Sequence, residues 1–297
     1  MKSTDPTTLL ERERRFPTGH RKGYQGFVEE MDKLRARQLT GWRDARSDDL
    51  FTINDFIAAY DRLPPQSFAD PYDIAQSDMD KLEHVQKKYL LRFKNIRRSW
   101  VRLLRFAPET MNGHNRFKCL EMSTAHGATL EILHHFGHEV TGTDYTNEGL
   151  RAANGKRSID RDLGETIIDA QTDTRDWPYK PIIDSIGARV DLFDAGIVPY
   201  PYEDAAFDYL FCFDALEHYC HPKDWMQLIE EFTRITKRAI VLEINPIRRE
   251  RLDLEGDYYL AYKTFYQDIL NCNVNGFQCV STAASFNQPR FFKLMKV

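Results

Sequence analysis

Glu121, Ser123, Ala125 and Gly127 occupy alternate positions in Leu120-Glu-Met-Ser-Thr-Ala-His-Gly127, at the end of an apolar run that begins at Phe117. Small residues spaced in this way let a ligand lie against bare backbone where a strand feeds the N-terminus of a helix. Asp144 ends the next such run, Glu139-Val-Thr-Gly-Thr-Asp144, and a carboxylate one strand over can accept both hydroxyls of a ribose. The pattern points to a nucleoside-containing ligand at the carboxyl ends of parallel strands. A second chemical cluster follows in Phe213-Asp-Ala-Leu-Glu-His218. An imidazole titrates near neutrality and can take a proton from a hydroxyl or amine, so His218 is the candidate base, with Glu217 to orient it or to bind substrate.

Other histidines invite weaker readings. His218, Cys220 and His221 lie close in sequence, but a structural zinc takes four ligands, and no complementary cluster follows; the expectation is no metal. His126 and the pair His134-His135 read as packing or solvent residues. The segment Tyr258-Tyr-Leu-Ala-Tyr-Lys-Thr-Phe-Tyr266 could line a slot for a sugar or ring, against the plainer alternative of core packing.

These residues need a scaffold. From Asn115 onward, strand and helix signals alternate, with strands expected at 117–122, 139–143, 188–193, 207–213 and 238–244 and helices at about 127–136, 147–156, 222–235 and 262–271. Two last strands, near 278–282 and 290–297, are joined by a turn holding Asn287-Gln-Pro289 and can pair only as a hairpin. An insertion spans about 157–186. The sum is a doubly wound α/β sheet of seven strands, parallel except for one. Before it, residues 1–112 read as a helical extension and 113–297 as the main domain. Tyr24, Phe27, Met31 and Leu34 recur at helical steps. Leu82, Val85, Tyr89, Phe93, Ile96, Trp100 and Leu103 draw one stripe along a helix of roughly seven turns, with Ser77 and Asp80 as caps. The basic residues Lys87, Lys88, Arg92, Lys94, Arg97, Arg98 and Arg102 read as its solvated side. The extension is expected to be a cover or lid, or a surface for self-association.

Length and composition narrow the class. The 297 residues, 42% hydrophobic and 12% aromatic, can fill one large α/β core plus an appendage. A net charge of −4 gives no general attraction to nucleic acid or an anionic membrane. Five cysteines, with no Cys-x-x-Cys pair, suit a reducing compartment. With a charged N-terminus and no long apolar run, the expectation is a cytoplasmic protein.

The ordered landmarks resemble the class I S-adenosylmethionine-dependent methyltransferases, particularly their small-molecule branch, over about 117–297. Leu120–Gly127 resembles the family's Glu-x-Gly-x-Gly-x-Gly loop, and Gly137–Asp144 its second strand with a terminal acid. Asp194 ahead of Pro201-Tyr-Glu-Asp-Ala-Ala-Phe-Asp208 resembles the third strand's acid and the approach to strand four. Gly276-Phe277 resembles the Gly-Phe before the final hairpin. The resemblance implies S-adenosylmethionine as cofactor: Glu121 near the methionine amino group, the backbone of Ser123, Ala125 and Gly127 against the ligand, and Asp144 on the ribose. It further implies Tyr145 on the adenine face, Asp194 at the adenine amino group with Asp191 as a rival, and Phe213 and Asp214 at the methionine end. Two departures stand out. Ser123 and Ala125 replace loop glycines, and close approach is expected to survive if their φ angles are negative. Ile235-Thr-Lys-Arg-Ala239 replaces the usual Lys-Pro-Gly-Gly turn.

The implied activity is methyl transfer to oxygen or nitrogen of a small molecule, such as a sugar or secondary-metabolite intermediate. The alternative is an inactive methyltransferase fold kept as a scaffold or regulatory subunit. A nicotinamide-dependent oxidoreductase would need Gly-x-Gly-x-x-Gly rather than small residues at 123, 125 and 127. Nucleic-acid methylation is disfavoured by the ending Asp-Ala-Leu-Glu-His and by the negative charge.

Overall fold

Apolar strands separated by helices assemble one eight-stranded, mostly parallel sheet in the order β3-β2-β1-β4-β5-β8-β7-β6. In this computed structural model the described residues are 24–29, 59, 62–80, 90–144, 177, 179–245, 256–285 and 288–297. The strands are β1 (Lys118–Met122), β2 (Glu139–Asp144), β3 (Arg189–Leu192), β4 (Phe207–Phe213), β5 (Thr236–Glu243), β6 (Asn273–Val274), β7 (Phe277–Ser285) and β8 (Gln288–Lys296). Helices among the described residues include α1 (Gln76–Asp80), α2 (Arg92–Phe106), α3 (Ala128–His135), α4 (Lys180–Ile186), α5 (Trp225–Ile235) and α6 (Asp257–Leu270). The sheet exceeds the expected seven strands by the two-residue β6, which pairs antiparallel with β7. Nothing in its composition marked so short a strand.

The chain divides into two compact units. One comprises residues 1–116, 125–139 and 178–189; the other comprises 117–124, 140–177 and 190–297. In the second unit β4 runs parallel to both β1 and β5. Its sequence Phe-Asp-Tyr-Leu-Phe-Cys-Phe is buried at every position but Asp208, the near-continuous apolar run of a strand covered on both faces. β8 returns antiparallel to β5, setting Phe291 opposite Glu243, so its first residues lie at the carboxyl end of β5. Trp225, fully buried, opens α5 and meets Phe265 edge-on at 5.0 Å and Tyr262 at 6.2 Å. The inward side of the aromatic segment is therefore core, as its plainer reading has it. α6 begins at Asp257, five residues before the expected start, and takes in the whole aromatic run.

In the first unit, Phe93, Ile96, Trp100 and Leu103 form one buried face of α2, and Thr129 of α3 donates to Ser99 at 3.1 Å. The single long helix expected through this stripe is not formed. Leu91 has φ −77° and ψ 69°, outside the helical region, so α2 starts at Arg92 and runs on to Phe106. Ser77 and Asp80 lie inside α1 rather than capping a longer helix; Leu82, Val85, Tyr89, Lys87 and Lys88 lie outside the described residues. Arg92 also departs from the solvated face assigned to it. It pairs with the buried Glu131 and sits over the rings of Phe68 and Tyr72, 5.6 and 5.4 Å from their centroids. Lys94, Arg97 and Arg98 are exposed as expected.

Residues 24–29 are helical, with Phe27 buried against Phe93; Met31 and Leu34 lie outside the described residues. So do the helix expected at 147–156 and most of the insertion, whose described end is α4, opened by Pro181 in its first turn and closed by Gly187 at φ 67°.

Candidate functional site

In the second unit the carboxyl ends of the strands are stitched together by the turns that leave them. Ser123, just past β1, donates its N–H to Thr143 Oγ1 at 3.2 Å, and Thr124 donates its N–H to the Thr143 carbonyl at 2.8 Å. Phe193, just past β3, donates its N–H to the carbonyl of Asp144 at 3.0 Å. Asp214, just past β4, donates its N–H to the Glu243 carbonyl at 2.6 Å. Glu121, Asp144, Asp194 and Asp214 thus all stand at or just beyond strand ends.

The turn after β1 holds the main surprise. Ser123 has φ 53° and Ala125 φ 46°, both left-handed. The negative angles on which close approach was conditioned are not found: the chain takes a glycine-like path with side chains in place, at about 1–2 kcal/mol for each such residue. Hydrogen bonds hold the turn against that cost. The Ser123 hydroxyl lies 2.7 Å from the hydroxyl of Tyr219, and the Thr124 hydroxyl donates to the buried Glu121 carboxylate. Gly127 completes the series at φ 70°. Within its own unit a Cβ there would come 2.5 Å from Ile183 Cδ1 and 2.7 Å from Ile186 Cδ1, so both conformation and space require glycine. His126 Nδ1 accepts from the Ala128 N–H at 3.1 Å, a local tie at the start of α3.

Asp194 Oδ1 accepts from the Gly196 N–H at 2.8 Å, closing a tight turn. Its rival Asp191 instead accepts from the Tyr202 hydroxyl at 3.0 Å. Phe213 is buried, with its ring 5.9 Å from that of Phe211. Tyr145 lies outside the described residues.

Beyond β4 the chain makes a short 3-10 turn, Leu216–His218. Glu217 is buried in it: Oε1 accepts from the Asn245 N–H at 3.1 Å, while Oε2 has no hydrogen-bond partner. Burial pushes this carboxyl above the ordinary range, against the pull of nearby His218. His218 Nε2 stands 3.8 Å from Glu217 Oε1, with about half of the imidazole side chain exposed. The two candidate catalytic residues are therefore adjacent in space as well as sequence. Cys220 and His221 do not join them in a ligand set: His221 Nδ1 accepts from the Lys223 N–H at 3.3 Å and caps the following turn.

Sequence reasoning missed the residue that organises this end of the sheet. Arg290, buried in β8, donates from Nε to the Ile244 carbonyl at 2.7 Å. Its Nη2 reaches Asp214 Oδ1 at 3.1 Å and Glu243 Oε1 at 2.9 Å. No local pattern announces it; only the pairing of β8 with β5 brings it there. Tyr219 and Thr124 were also passed over, although each adjoins a residue that was singled out.

Residues 120–241 match the family described as "Methyltransferase domain". With β1 flanked by β2 and β4, and an antiparallel strand inserted beside β5, the sheet has the strand order expected of a methyltransferase-like α/β fold. Among solved structures it is similar to protein PH0226 from Pyrococcus horikoshii OT3 (15% identity, 62% of this chain and 83% of that one, TM-score 0.41). It is similar also to magnesium protoporphyrin IX methyltransferase from Synechocystis PCC 6803 with bound SAH (15%, 69% and 87%, TM-score 0.39). A third is a SAM dependent methyltransferase from Aquifex aeolicus (15%, 69% and 98%, TM-score 0.35). A comparison with curated proteins found no match.

The donor set suits a cationic nucleoside ligand. Glu121, Asp144, Asp194 and Asp214 supply carboxylates at successive strand ends, and the backbone at Ser123 turns as glycine would turn it.

Proposed function

We propose that the chain is an S-adenosylmethionine-dependent methyltransferase acting on an oxygen or nitrogen of a small molecule. The observation that carries this reading is the left-handed turn at Ser123, retained without glycine, between the strand-end acids Glu121 and Asp144. A left-handed residue that carries a Cβ is strained, and such strain clusters at ligand sites.

When bound, S-adenosylmethionine supplies a methyl group on a sulfonium, already an activated electrophile. The protein's part is then chiefly alignment. Glu121 would take the ammonium of the methionine end, its carboxylate held by the hydrogen bond from Thr124. Asp144 would accept hydrogen bonds from the ribose hydroxyls and Asp194 from the adenine amino group, while Phe213 and Asp214 would close the methionine end. The backbone of Ser123, Ala125 and Gly127 would lie against the ligand; the role the resemblance gives Tyr145 falls outside the described residues. On the acceptor side His218, half exposed, takes the proton from the attacking hydroxyl or amine, and Glu217 at 3.8 Å orients it.

The same reading keeps residues 1–112 as a self-association region and makes the acceptor a small molecule rather than nucleic acid. A reducing, cytoplasmic setting fits the free cysteines. Among the described residues no helix is long and apolar enough to cross a membrane. A second reading, an inactive scaffold, is favoured by the side chains that stand where glycines are expected. Incubating the protein with methyl-labelled S-adenosylmethionine and a low-mass metabolite extract separates the two. Transfer predicts a labelled small product that depends on the protein and disappears in Asp144→Ala; the scaffold predicts no label above a protein-free control.

A further inference from the structure

We propose that Tyr219 is a positioning residue for the cofactor-facing turn, its hydroxyl doing for Ser123 what freedom from a side chain does for glycine. The inference rests on the reading of this turn as the S-adenosylmethionine site. Ser123 lies at φ 53°, which a residue with a Cβ holds only when its surroundings fix it there. Its N–H is tied to Thr143, which would serve any residue at that position. Its side chain has a specific tie, the 2.7 Å contact with Tyr219.

Tyr219 is suited to be the fixed end of that contact. It is buried, packed among the core residues of its unit, and its N–H donates to the Leu216 carbonyl at 3.1 Å. The thiol of Cys212 lies 4.0 Å from the phenol oxygen, and in the Ser123 contact either hydroxyl can be the donor. Burial raises the phenol's pKa well above its ordinary value, so the proton stays in place throughout the physiological range.

The placement in sequence matters as much as the bond. Tyr219 directly follows Glu217 and His218, so one short segment carries the proposed base and anchors the cofactor turn.

A double-mutant cycle read by calorimetry with S-adenosylhomocysteine tests this. Tyr219→Phe is expected to raise Kd about fivefold, the scale of one lost hydrogen bond. Ser123→Ala, which removes the same bond from the other end, is expected to do likewise and guards against misfolding of the tyrosine variant. In a Ser123→Gly background, where no side chain needs holding, the further loss from Tyr219→Phe should fall below about twofold. An equal loss in both backgrounds, or no loss in either single variant while the parent binds, overturns the proposal alone. A parent that produces no heat overturns the methyltransferase reading itself, and this inference with it.

Discussion

Arg290 reaches Asp214 across 76 positions of sequence, Nη2 to Oδ1 at 3.1 Å, in surroundings that leave both side chains largely buried. The same guanidinium nitrogen holds Glu243 at 2.9 Å. The contact fastens the turn after β4, left-handed at Asp214 with φ 52°, to the start of β8. It keeps the methionine end of the proposed site in register with the rest of the sheet.

Removing the guanidinium would leave two buried carboxylates without their cation. Arg290→Met is expected to cost about 3–5 kcal/mol in stability, measured by urea unfolding at pH 7. A loss below about 1 kcal/mol would show that the network is solvated rather than buried.

Glu217 should give stability a pH signature of its own. Its carboxyl is raised by burial, so the folded chain favours the neutral acid. That contribution is complete below the ordinary carboxyl range and is lost as pH rises through the raised folded value. Glu217→Gln removes the ionisation, so the variant should gain on the parent in thermal melts as pH goes from 4 to 8. Parallel Tm curves over that range would contradict burial of an ionisable carboxyl.

The loop positions should respond in opposite directions to single-methyl changes. Gly127→Ala places a Cβ into Ile183 and Ile186 at a left-handed φ, with an expected loss of about 1–3 kcal/mol. Ala125→Gly relieves a left-handed φ of 46°. After the entropy that glycine adds to the unfolded chain, it should stabilise by up to about 1 kcal/mol. Denaturant midpoints of the two variants against the parent check both signs.

Much of this architecture was legible in the chain because its strands are either continuously apolar or bounded by small and acidic residues. β4, with Asp208 alone left incompletely buried, was read to the residue. Glu121, Asp144, Glu217 and His218 were visible because each ends or follows such a strand. The conformation at Ser123 and Ala125 was not, since a sequence names a side chain but not the φ that distant partners impose on it. Arg290 was hidden for a related reason: its role depends on which strand β8 meets, a contact between residues far apart. The break at Leu91 was hidden because the apolar stripe continues across it in phase.

His218 carries the acceptor chemistry in this account. His218→Ala should lower turnover about 10²–10³-fold once an acceptor is in hand, with the S-adenosylhomocysteine Kd changed less than about twofold because the residue does not hold the cofactor. Equal losses in turnover and cofactor affinity would make His218 a prop for the loop instead of a base.

The most direct test is a calorimetric titration of the purified protein with S-adenosylhomocysteine, alongside Asp144→Ala. The account predicts a saturable, one-to-one heat in the parent, with affinity weakened at least about 30-fold when the carboxylate at the end of β2 is removed, as expected for a charged partner of two hydroxyls. No heat from the folded parent at millimolar ligand, or unchanged affinity in Asp144→Ala, would contradict it.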